Sequence, residues 1–209
     1  MIPKPDLTYE KEIWSSYQLI AGLDEAGRGA LAGPVCVGTV ILPHNHPHLI
    51  RALNGVHDSK QLTPRKRSDL VPHIKETALV WGIGFAIAEE IDQLGIVPAT
   101  RLAASRALEA LPKYPEFLLT DFRLELPQLE LSQTSIVKGD AHCLSIAAAS
   151  VLAKTTRDEL MRKLDSQYPD YGLGKNKGYG TQAHRFSLKR LGYSAIHRRT
   201  FILKENSLT

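Results

Sequence analysis

The sequence predicts an α/β fold in which a mixed β-sheet is flanked by helices. The 209 residues are 43% apolar and 23% charged, which is the composition of an ordinary globular protein and not of a disordered or fibrous chain. Apolar runs of strand length and segments of helical periodicity follow one another in the order βββαβαβα. Because helices lie between the later strands, we expect a mixed sheet with helices packed on its faces.

Apolar runs predict the strands, and periodic segments predict the helices. The predicted strands cover residues 19–23, 34–42, 79–88, 117–120 and 135–137. The predicted helices cover residues 64–77, 89–111 with a break at 95–98, 141–164 and 182–191. Thr63 before Pro64 is typical of an N-cap followed by the first helical residue. Thr181 and Gly192 bracket the last helix as its N-cap and its C-terminal stop.

Basic residues are concentrated near the end of the chain. The net charge is +4, but residues 171–204 contain no Asp or Glu and carry +8, which leaves −4 for the rest. The basic residues of this segment are Lys175, Lys177, Arg185, Lys189, Arg190, Arg198, Arg199 and Lys204. Its aromatic residues include Tyr179, Phe186, Tyr193 and Phe201. Basic groups interleaved with aromatic rings favour nucleic-acid binding over a merely solvated tail.

We expect one domain preceded by a short tail. Residues 1–17 are polar and predict the tail, and residues 18–209 predict the domain. Within the domain, the core is expected at about 18–165 and a basic helical binding segment at about 166–209. The chain has no apolar run of membrane-spanning length, no signal-peptide pattern near its start, and two cysteines that each lie in an apolar run. These features predict a cytoplasmic protein without a membrane partner, and we expect it to be a monomer.

Four acidic residues stand at the ends of predicted strands or at the start of the long helix. Asp24 and Glu25 end the first strand, Asp121 ends the fourth, and Asp140 begins the long helix. Taken singly, each has a simpler explanation as the first solvated residue after a strand or, for Asp140, as an N-cap. Because the ends of neighbouring strands converge at one edge of a sheet, we expect the acids to meet there. Their charges would repel one another unless a cation compensates them.

The chemistry of these four side chains favours a hard divalent cation. Carboxylate oxygens without a His or Cys partner favour Mg²⁺ or Mn²⁺ over zinc. Two such ions about 3.5 to 4 Å apart activate a water and stabilise the leaving oxygen in phosphodiester hydrolysis. Together with the basic aromatic segment, the acids predict a metal-dependent nuclease.

Two other motifs have simpler interpretations. Residues 27–32 fit the dinucleotide-binding pattern GxGxxA, but a β-rich run follows them instead of the required helix, which argues against an oxidoreductase. The flanking glycines do allow the backbone to approach a sugar or phosphate, with Arg28 between them. His44, His46 and His48 alternate with turn formers, and two prolines indicate a surface loop instead of a metal site.

Six short sequence elements follow one another along residues 19–201. The elements are AGLDEAGRG at 21–29, DSK with Leu62 at 58–62, VKGD at 137–140, SVLAK with TRD at 150–158, KGYGT at 177–181 and HRRTF at 197–201. Together, and in this order, they resemble the signature of ribonuclease HII, the bacterial type 2 ribonuclease H.

The resemblance implies an RNase H-like fold and a specific reaction. The expected substrates are RNA/DNA hybrids and duplex DNA with embedded ribonucleotides, cut on the 5′ side of the ribonucleotide to leave a 3′-hydroxyl and a 5′-phosphate. The implied metal-binding carboxylates are Asp24, Glu25, Asp121 and Asp140. The implied substrate contacts are Gly27, Arg28 and Gly29 at the 2′-hydroxyl, Tyr179 near the following deoxyribose, and Lys60 and Lys154 at phosphates.

The chain departs from the family at two positions. Phe122 follows Asp121 where the family usually has glycine, and Ala141 follows Asp140 where a serine is frequent. Neither departure removes a carboxylate. The residues before the first strand are too few for the N-terminal domain of the related type 3 enzymes. Two alternatives stay open at this point, another RNase H-like metal-dependent DNA nuclease and a non-catalytic nucleic-acid-binding protein.

Overall fold

A computed structural model describes residues 4–122 and 124–201, which form a five-stranded sheet with helices on both faces. The strands are β1 (Ile20–Ala26), β2 (Val35–Ile41), β3 (Val80–Ala86), β4 (Phe117–Asp121) and β5 (Ser132–Ile136). The helices are α1 (Thr8–Ile13), α2 (Leu49–Ala52), α3 (Pro64–Thr77), α4 (Ala88–Leu94), α5 (Ile96–Glu109), α6 (Gly139–His142), α7 (Leu144–Gln167), α8 (Leu173–Asn176) and α9 (Gln182–Leu191). None of the described helices is long and apolar enough to cross a membrane.

The predicted mixed sheet is confirmed, with the strand order β3-β2-β1-β4-β5. The first three strands form an antiparallel meander, in which β2 pairs with both β1 and β3. In contrast, β4 joins β1 in parallel, and β5 joins β4 in parallel. Because parallel strands run in the same direction, the carboxyl ends of β1, β4 and β5 lie at a common edge of the sheet.

Helices α7 and α5 cover opposite faces of the sheet. Helix α7 packs on β1 and β2, whereas α5 packs on β2 and β3. The residues of α7 that face the sheet are small, and a side chain at Gly38 of β2 would overlap the carbonyl of Ala149. This close approach leaves every residue of β2 buried, as expected for a strand that is covered on both faces.

The predicted helix 141–164 is two helices in the structure. Helix α6 ends at His142, Cys143 is extended with φ −116° and ψ 124°, and α7 begins at Leu144. Asp140 therefore lies inside the single turn of α6 and is not an N-cap. The residue before α6 is Lys138, which has a left-handed backbone with φ 55°.

Residues 4–17 do not form the predicted N-terminal tail, because α1 packs against the start of α7. Residues 1–3 lie outside the described chain. Glu10 of α1 is buried. Its Oε1 atom accepts a hydrogen bond from the Ser145 backbone N–H at 2.8 Å and one from the Cys143 thiol at 3.1 Å. The Glu10 carboxyl thus caps α7 from a distant part of the chain, which a local sequence pattern does not reveal.

The basic C-terminal segment is joined to the body of the protein. The N–H groups of Leu31 and Ala32 both donate to the Gly178 carbonyl, and Ala32 forms an isolated β-bridge with His197. Gly178 and residues 196–198 of this segment therefore contact the loop after β1. Lys204, the last residue of the predicted basic run, lies outside the described residues.

We expect Glu10→Ala to lower the free energy of unfolding by about 1–3 kcal/mol, because α7 loses its cap and a buried space opens. Glu10→Gln should cost less, since its amide oxygen still accepts from Ser145. Chemical denaturation measures both effects. Glu12→Ala, which changes an exposed residue of the same helix, is the matched control and should leave stability unchanged.

The wild type and Glu10→Gln also differ in the pH dependence of their stability. Burial raises the pKa of Glu10 in the folded protein. The stability that this carboxyl contributes is therefore fully present below the pKa that Glu10 has in the unfolded chain. That contribution is lost as the pH rises through the folded value. Glu10→Gln, which does not ionise, should therefore gain stability relative to the wild type between acidic and neutral pH. A constant difference over that range would contradict the raised pKa.

Candidate active site

Two of the candidate acids lie side by side on adjacent parallel strands. Leu23 of β1 is in register with Thr120 of β4, so the next residues along, Asp24 and Asp121, are neighbours at the sheet edge. Both project from the face that α7 covers, because side chains alternate along a strand. Glu25 projects from the opposite face. The predicted strand-end acids are therefore brought together, although Asp24 and Glu25 lie within β1 and not beyond it.

Asp140 reaches the same edge through α6. The Gly139 N–H at the start of α6 donates to Asp121 Oδ1 at 2.7 Å, which attaches the helix to the end of β4. Asp140 is buried, and burial raises its pKa, with the negative charge of Asp58 as the next contribution. Asp58 lies in the DSK element and is a further acid at this edge that the sequence analysis did not assign a role.

The electrostatics of the edge are those of crowded carboxylates. Burial raises the pKa of Asp24 well above its ordinary value, and the charges of Glu25 and Asp121 raise it further. Burial also raises the pKa of Glu25, against the opposing effect of Arg28. Taking carboxylates out of water and placing them together disfavours their charged forms, so the site attracts cations.

Two basic side chains lie close to these carboxylates. Lys60 Nζ lies 3.6 Å from Asp140 Oδ2, and Arg28 NH1 lies 3.5 Å from Glu25 Oε1. Burial alone would lower the pKa of Lys60, but the surrounding carboxylates, first Asp24 and Asp140, raise it overall. The side chain of Lys60 is nevertheless 71% exposed, so its ammonium group is also accessible to a ligand.

The carboxylates at this edge are chemically suited to a divalent cation, but their side chains do not form a complete coordination site. Within the described residues, no three His, Cys, Asp or Glu side chains are arranged to hold a metal ion as they stand. However, Asp24 Oδ2 and Glu25 Oε2 are buried and have no hydrogen-bond partner among the described residues. Buried oxygens without partners are unfavourable unless a ligand satisfies them, and an all-oxygen set suits Mg²⁺ or Mn²⁺.

A cleft of about 510 Å³ connects the acids to the substrate-contact candidates. The predicted site residues that line it are Asp24, Glu25, Gly27, Arg28, Gly29, Lys60, Asp121, Lys154 and Tyr179. A second cleft of about 590 Å³ contains Asp140 and shares Lys60 and Asp121 with the first. All ten predicted site residues therefore line one of two adjoining clefts.

The loop between β1 and β2 is held by two buried arginines. Arg157 of α7 donates to the carbonyls of Pro34, Ala32 and Lys177 at 2.8 to 3.1 Å. Arg198 is also fully buried, and its donors, at 2.8 to 3.0 Å, reach the carbonyls of Gly27, Arg28 and Gly33. From the sequence alone, Arg198 is expected to be part of the basic binding segment. Its burial shows that it shapes the glycine loop and does not face a nucleic acid.

The glycine loop presents unused donors to the cleft. Among the described residues, the backbone N–H groups of Arg28 and Gly29 donate to no partner. A side chain at Gly29 would meet no atom within 4 Å, so this part of the loop borders open space. Gly27 differs, because its φ is +87° and a side chain there would overlap the Arg157 guanidinium. Gly27 is thus required by the fold, and Gly29 is free to face a ligand.

Tyr179 and Lys154 line the same cleft as this loop. Lys154 Nζ lies 5.3 Å from the centre of the Tyr179 ring, and the Arg157 guanidinium carbon lies 5.4 Å from it. Lys154 also donates to Asp158 at 2.8 Å, and Asp158 accepts a second bond from Arg67 at 3.0 Å. This buried acid, which the sequence analysis did not single out, orients Lys154 towards the cleft. Its position in the TRD element was the available signal.

The two glycines give a matched test of the loop. We expect Gly27→Ala to lower the free energy of unfolding by about 1–3 kcal/mol or more, because its positive φ and the Arg157 overlap both oppose a side chain. Gly29→Ala should be neutral or stabilising by up to about 1 kcal/mol, since it restricts the unfolded chain without a clash. Denaturant melts of both variants measure this. Equal losses of stability would show that Gly29 is also required by the fold.

Known proteins resemble this chain along most of its length. The family model described as Ribonuclease HII matches residues 21–204. A ribonuclease HII of Desulfitobacterium hafniense is 53% identical over 196 residues, which are 93% of this chain and 73% of that protein. A ribonuclease HII of Dehalococcoides mccartyi is 50% identical over 94% of this chain and 92% of its own length.

Solved structures support the same assignment. The ribonuclease H2 of Pyrococcus horikoshii OT3 is 27% identical and has a TM-score of 0.73, covering 87% of this chain and 93% of that one. The ribonuclease HII of Archaeoglobus fulgidus, solved in complex with PCNA, is 26% identical with a TM-score of 0.74, covering 91% and 98%. The RNase H-like fold is thereby confirmed. The chain belongs to the ribonuclease HII family, the endoribonucleases that act on RNA/DNA hybrids.

Proposed function

We propose that this enzyme, besides hydrolysing the RNA strand of RNA/DNA hybrids, cuts on the 5′ side of single ribonucleotides embedded in duplex DNA. The products would be a 3′-hydroxyl and a 5′-phosphate. One observation carries the proposal: three of the four candidate catalytic acids, Asp24, Glu25 and Asp121, line the same cleft as the candidate ribose-reading groups. A cut placed beside a lone ribose requires both sets of groups within the reach of one nucleotide.

We propose that Asp24, Glu25, Asp121 and Asp140 hold Mg²⁺ or Mn²⁺. Two bound cations would supply an activated water and stabilisation of the leaving 3′-oxygen. The unpaired oxygens of Asp24 and Glu25 would serve as ligands. Asp121 would keep Oδ1 on the Gly139 N–H, which orients its other oxygen. The Bst ribonuclease HIII has the same fold at 23% identity and a TM-score of 0.63 and was solved with Mn²⁺, so Mn²⁺ belongs in the test.

Lys60 and Arg28 would exchange partners when substrate binds. In the free chain each lies near a carboxylate. A substrate phosphate is an alternative acceptor for both cationic groups, and phosphate is well matched to them. Moving Lys60 and Arg28 onto phosphates would leave the carboxylates without these cationic neighbours and available to divalent cations. Lys154, which Asp158 orients, would contact a further phosphate.

Discrimination between ribose and deoxyribose would reside in the glycine loop and Tyr179. The two sugars differ by one hydroxyl, so recognition needs hydrogen-bonding groups within reach of that oxygen. The N–H groups of Arg28 and Gly29 donate to no partner among the described residues, and the space beside Gly29 is open, so these groups would meet this requirement. The Tyr179 ring, across the same cleft, would pack against the neighbouring deoxyribose.

The C-terminal segment would extend the substrate-binding surface as part of the same domain. Its basic side chains at Lys175, Lys189, Arg190 and Arg199 are exposed. Aromatic Phe186 and Tyr193 are 65% and 43% exposed, which suits contact with a nucleic acid. Hydrogen bonds to the loop after β1 would hold this surface in place.

The decisive assay uses a DNA duplex with one embedded ribonucleotide. We expect a single cut on its 5′ side in the presence of Mg²⁺ or Mn²⁺ and no cut when the cation is chelated. An identical duplex without ribose is the control. Cleavage of that control would indicate a DNA nuclease of the same fold, and binding without turnover on any substrate would indicate a non-catalytic binding protein.

Asp121→Asn should lower turnover at least about a hundredfold, because a metal-binding carboxylate accounts for several kcal/mol of transition-state stabilisation. The fold should be retained, since the amide oxygen can still accept from Gly139. Turnover and the melting temperature are measured together. Glu130→Gln, at an exposed acid, is the control, and near-normal turnover of Asp121→Asn would remove Asp121 from the site.

Tyr179→Ala should lower turnover at the embedded ribonucleotide by about tenfold to a hundredfold, since a stacked ring contributes about 1–3 kcal/mol. Tyr179→Phe keeps the ring and should retain most of the activity. Single-turnover rates on the embedded-ribonucleotide duplex make the comparison. Equal activity of the two variants would exclude ring packing as the role of Tyr179.

Gly29→Ala should lose activity on the same duplex even though its stability is preserved. A methyl group at this position occupies the open space beside the free N–H groups and would displace the sugar, and a displacement of about 1 Å can cost about a hundredfold in rate. Steady-state rates on the embedded-ribonucleotide duplex test this. Wild-type rates would assign ribose recognition to other residues.

A further inference from the structure

Two histidines are buried behind Tyr179 and have no role in the proposed function. His184 lies in α9, and His197 lies in the segment after it; both are essentially inaccessible to solvent. Their Nε2 atoms are 3.1 Å apart. His184 Nδ1 lies 3.0 Å from the carbonyl oxygen of Tyr179, and His197 Nδ1 lies 2.7 Å from the hydroxyl and 3.1 Å from the N–H of Ser194.

The ends of this chain of contacts determine where the ring protons are. The Tyr179 carbonyl can only accept, so His184 Nδ1 must carry a proton and donate to it. The Ser194 N–H can only donate, so His197 Nδ1 must be unprotonated and accept from it. A neutral imidazole carries one proton, so His197 Nε2 donates to His184 Nε2. Every polar atom of both rings is then satisfied, and all the bonds run in one direction, from Ser194 to Tyr179.

Both rings are held in the neutral form that this arrangement requires. Burial, together with the nearby His184, lowers the pKa of His197 to about 4. Burial lowers the pKa of His184 as well. The ring of Tyr171 packs on His197 with 4.7 Å between centroids, which closes one side of the pair. A second proton would place two N–H groups face to face across 3.1 Å.

This chain of hydrogen bonds ends at the backbone of Tyr179, whose ring lines the cleft. The Tyr179 carbonyl accepts from both His184 and the Thr181 N–H, while the Tyr179 N–H donates to the Asn176 carbonyl. With both of its backbone groups held, Tyr179 has a defined direction for its side chain. The His184 bond is the part of this restraint that comes from a side chain and can be changed alone.

We propose that His184 and His197 are positioning residues, which form a directed hydrogen-bond relay from Ser194 to the Tyr179 carbonyl and thereby aim the Tyr179 ring into the cleft. This proposal rests on the proposed role of Tyr179 at the embedded ribonucleotide. The competing explanation is that the two rings only fill space between α9 and the following segment.

Two substitutions at His184 distinguish these explanations, because a positioning role and a packing role predict opposite orders of activity for the two variants. His184→Asn has a side-chain N–H close to the position of Nδ1, so it can still donate to Tyr179, although it leaves a small cavity. His184→Leu fills the space better but has no donor. A packing role favours the leucine, and a positioning role favours the asparagine. His73→Asn, at an exposed histidine of α3, is the matched control.

We expect kcat on the embedded-ribonucleotide duplex to stay within about threefold of the wild type for His184→Asn and to fall by about tenfold or more for His184→Leu. KM should change little in either variant, because the phosphate contacts are untouched. Melting temperatures are recorded alongside, and rates are compared well below the lower of them. A leucine variant as active as the asparagine variant would overturn the proposal.

A second measurement does not depend on activity or on the folding of a variant. Imidazole ¹⁵N chemical shifts of the wild-type protein should report the Nδ1-protonated form of His184 and the Nε2-protonated form of His197. Any other pair of tautomers would overturn the relay. If the wild type fails to cut the embedded ribonucleotide while these tautomers are observed, the proposed function fails and the relay stands as a geometric feature.

Discussion

The structure depends most on the hydrogen bonding of two buried guanidinium groups to backbone carbonyls. Arg157 and Arg198 are inaccessible to solvent, and among the described residues neither forms a salt bridge with a carboxylate. Their partners are carbonyl oxygens of the glycine loop and its neighbours. A buried cation is costly unless its donors are satisfied, and a loop with several inward-facing carbonyls satisfies them. The loop and the two arginines therefore specify each other.

This constraint joins distant parts of the chain into one site. Arg157 comes from α7, which also covers the acidic face of the sheet, and Arg198 comes from the C-terminal segment. Their shared target is the loop that leaves β1 directly after Asp24 and Glu25. The same loop receives the C-terminal segment through the Gly178 carbonyl. The candidate catalytic acids, the candidate ribose-reading loop and Tyr179 are consequently held in one rigid arrangement.

The buried acids in and near the cleft have two different electrostatic environments, which the sequence does not distinguish. Asp24 and Glu25 are crowded acids with raised pKa values, and each has one buried oxygen without a partner among the described residues, which is an arrangement open to cations from outside. Asp158 is equally buried, but Arg67 and Lys154 already satisfy it. The first arrangement suits binding of a metal and the second suits orientation of a side chain. The difference comes from whether the protein itself supplies the compensating charge.

The sequence by itself determined the succession of strands and helices along the chain, the mixed sheet and the acids near the ends of β1 and β4, because alternation and strand ends are encoded within a few neighbouring residues. Tertiary structure alone decided that Glu10 caps a helix 135 residues away, that Arg198 serves the loop and not a phosphate, and that His184 meets His197. Each depends on which groups are buried together. Burial decides whether a polar side chain bonds to water, to a ligand or to the backbone, and burial is a property of the packed chain that local sequence does not contain.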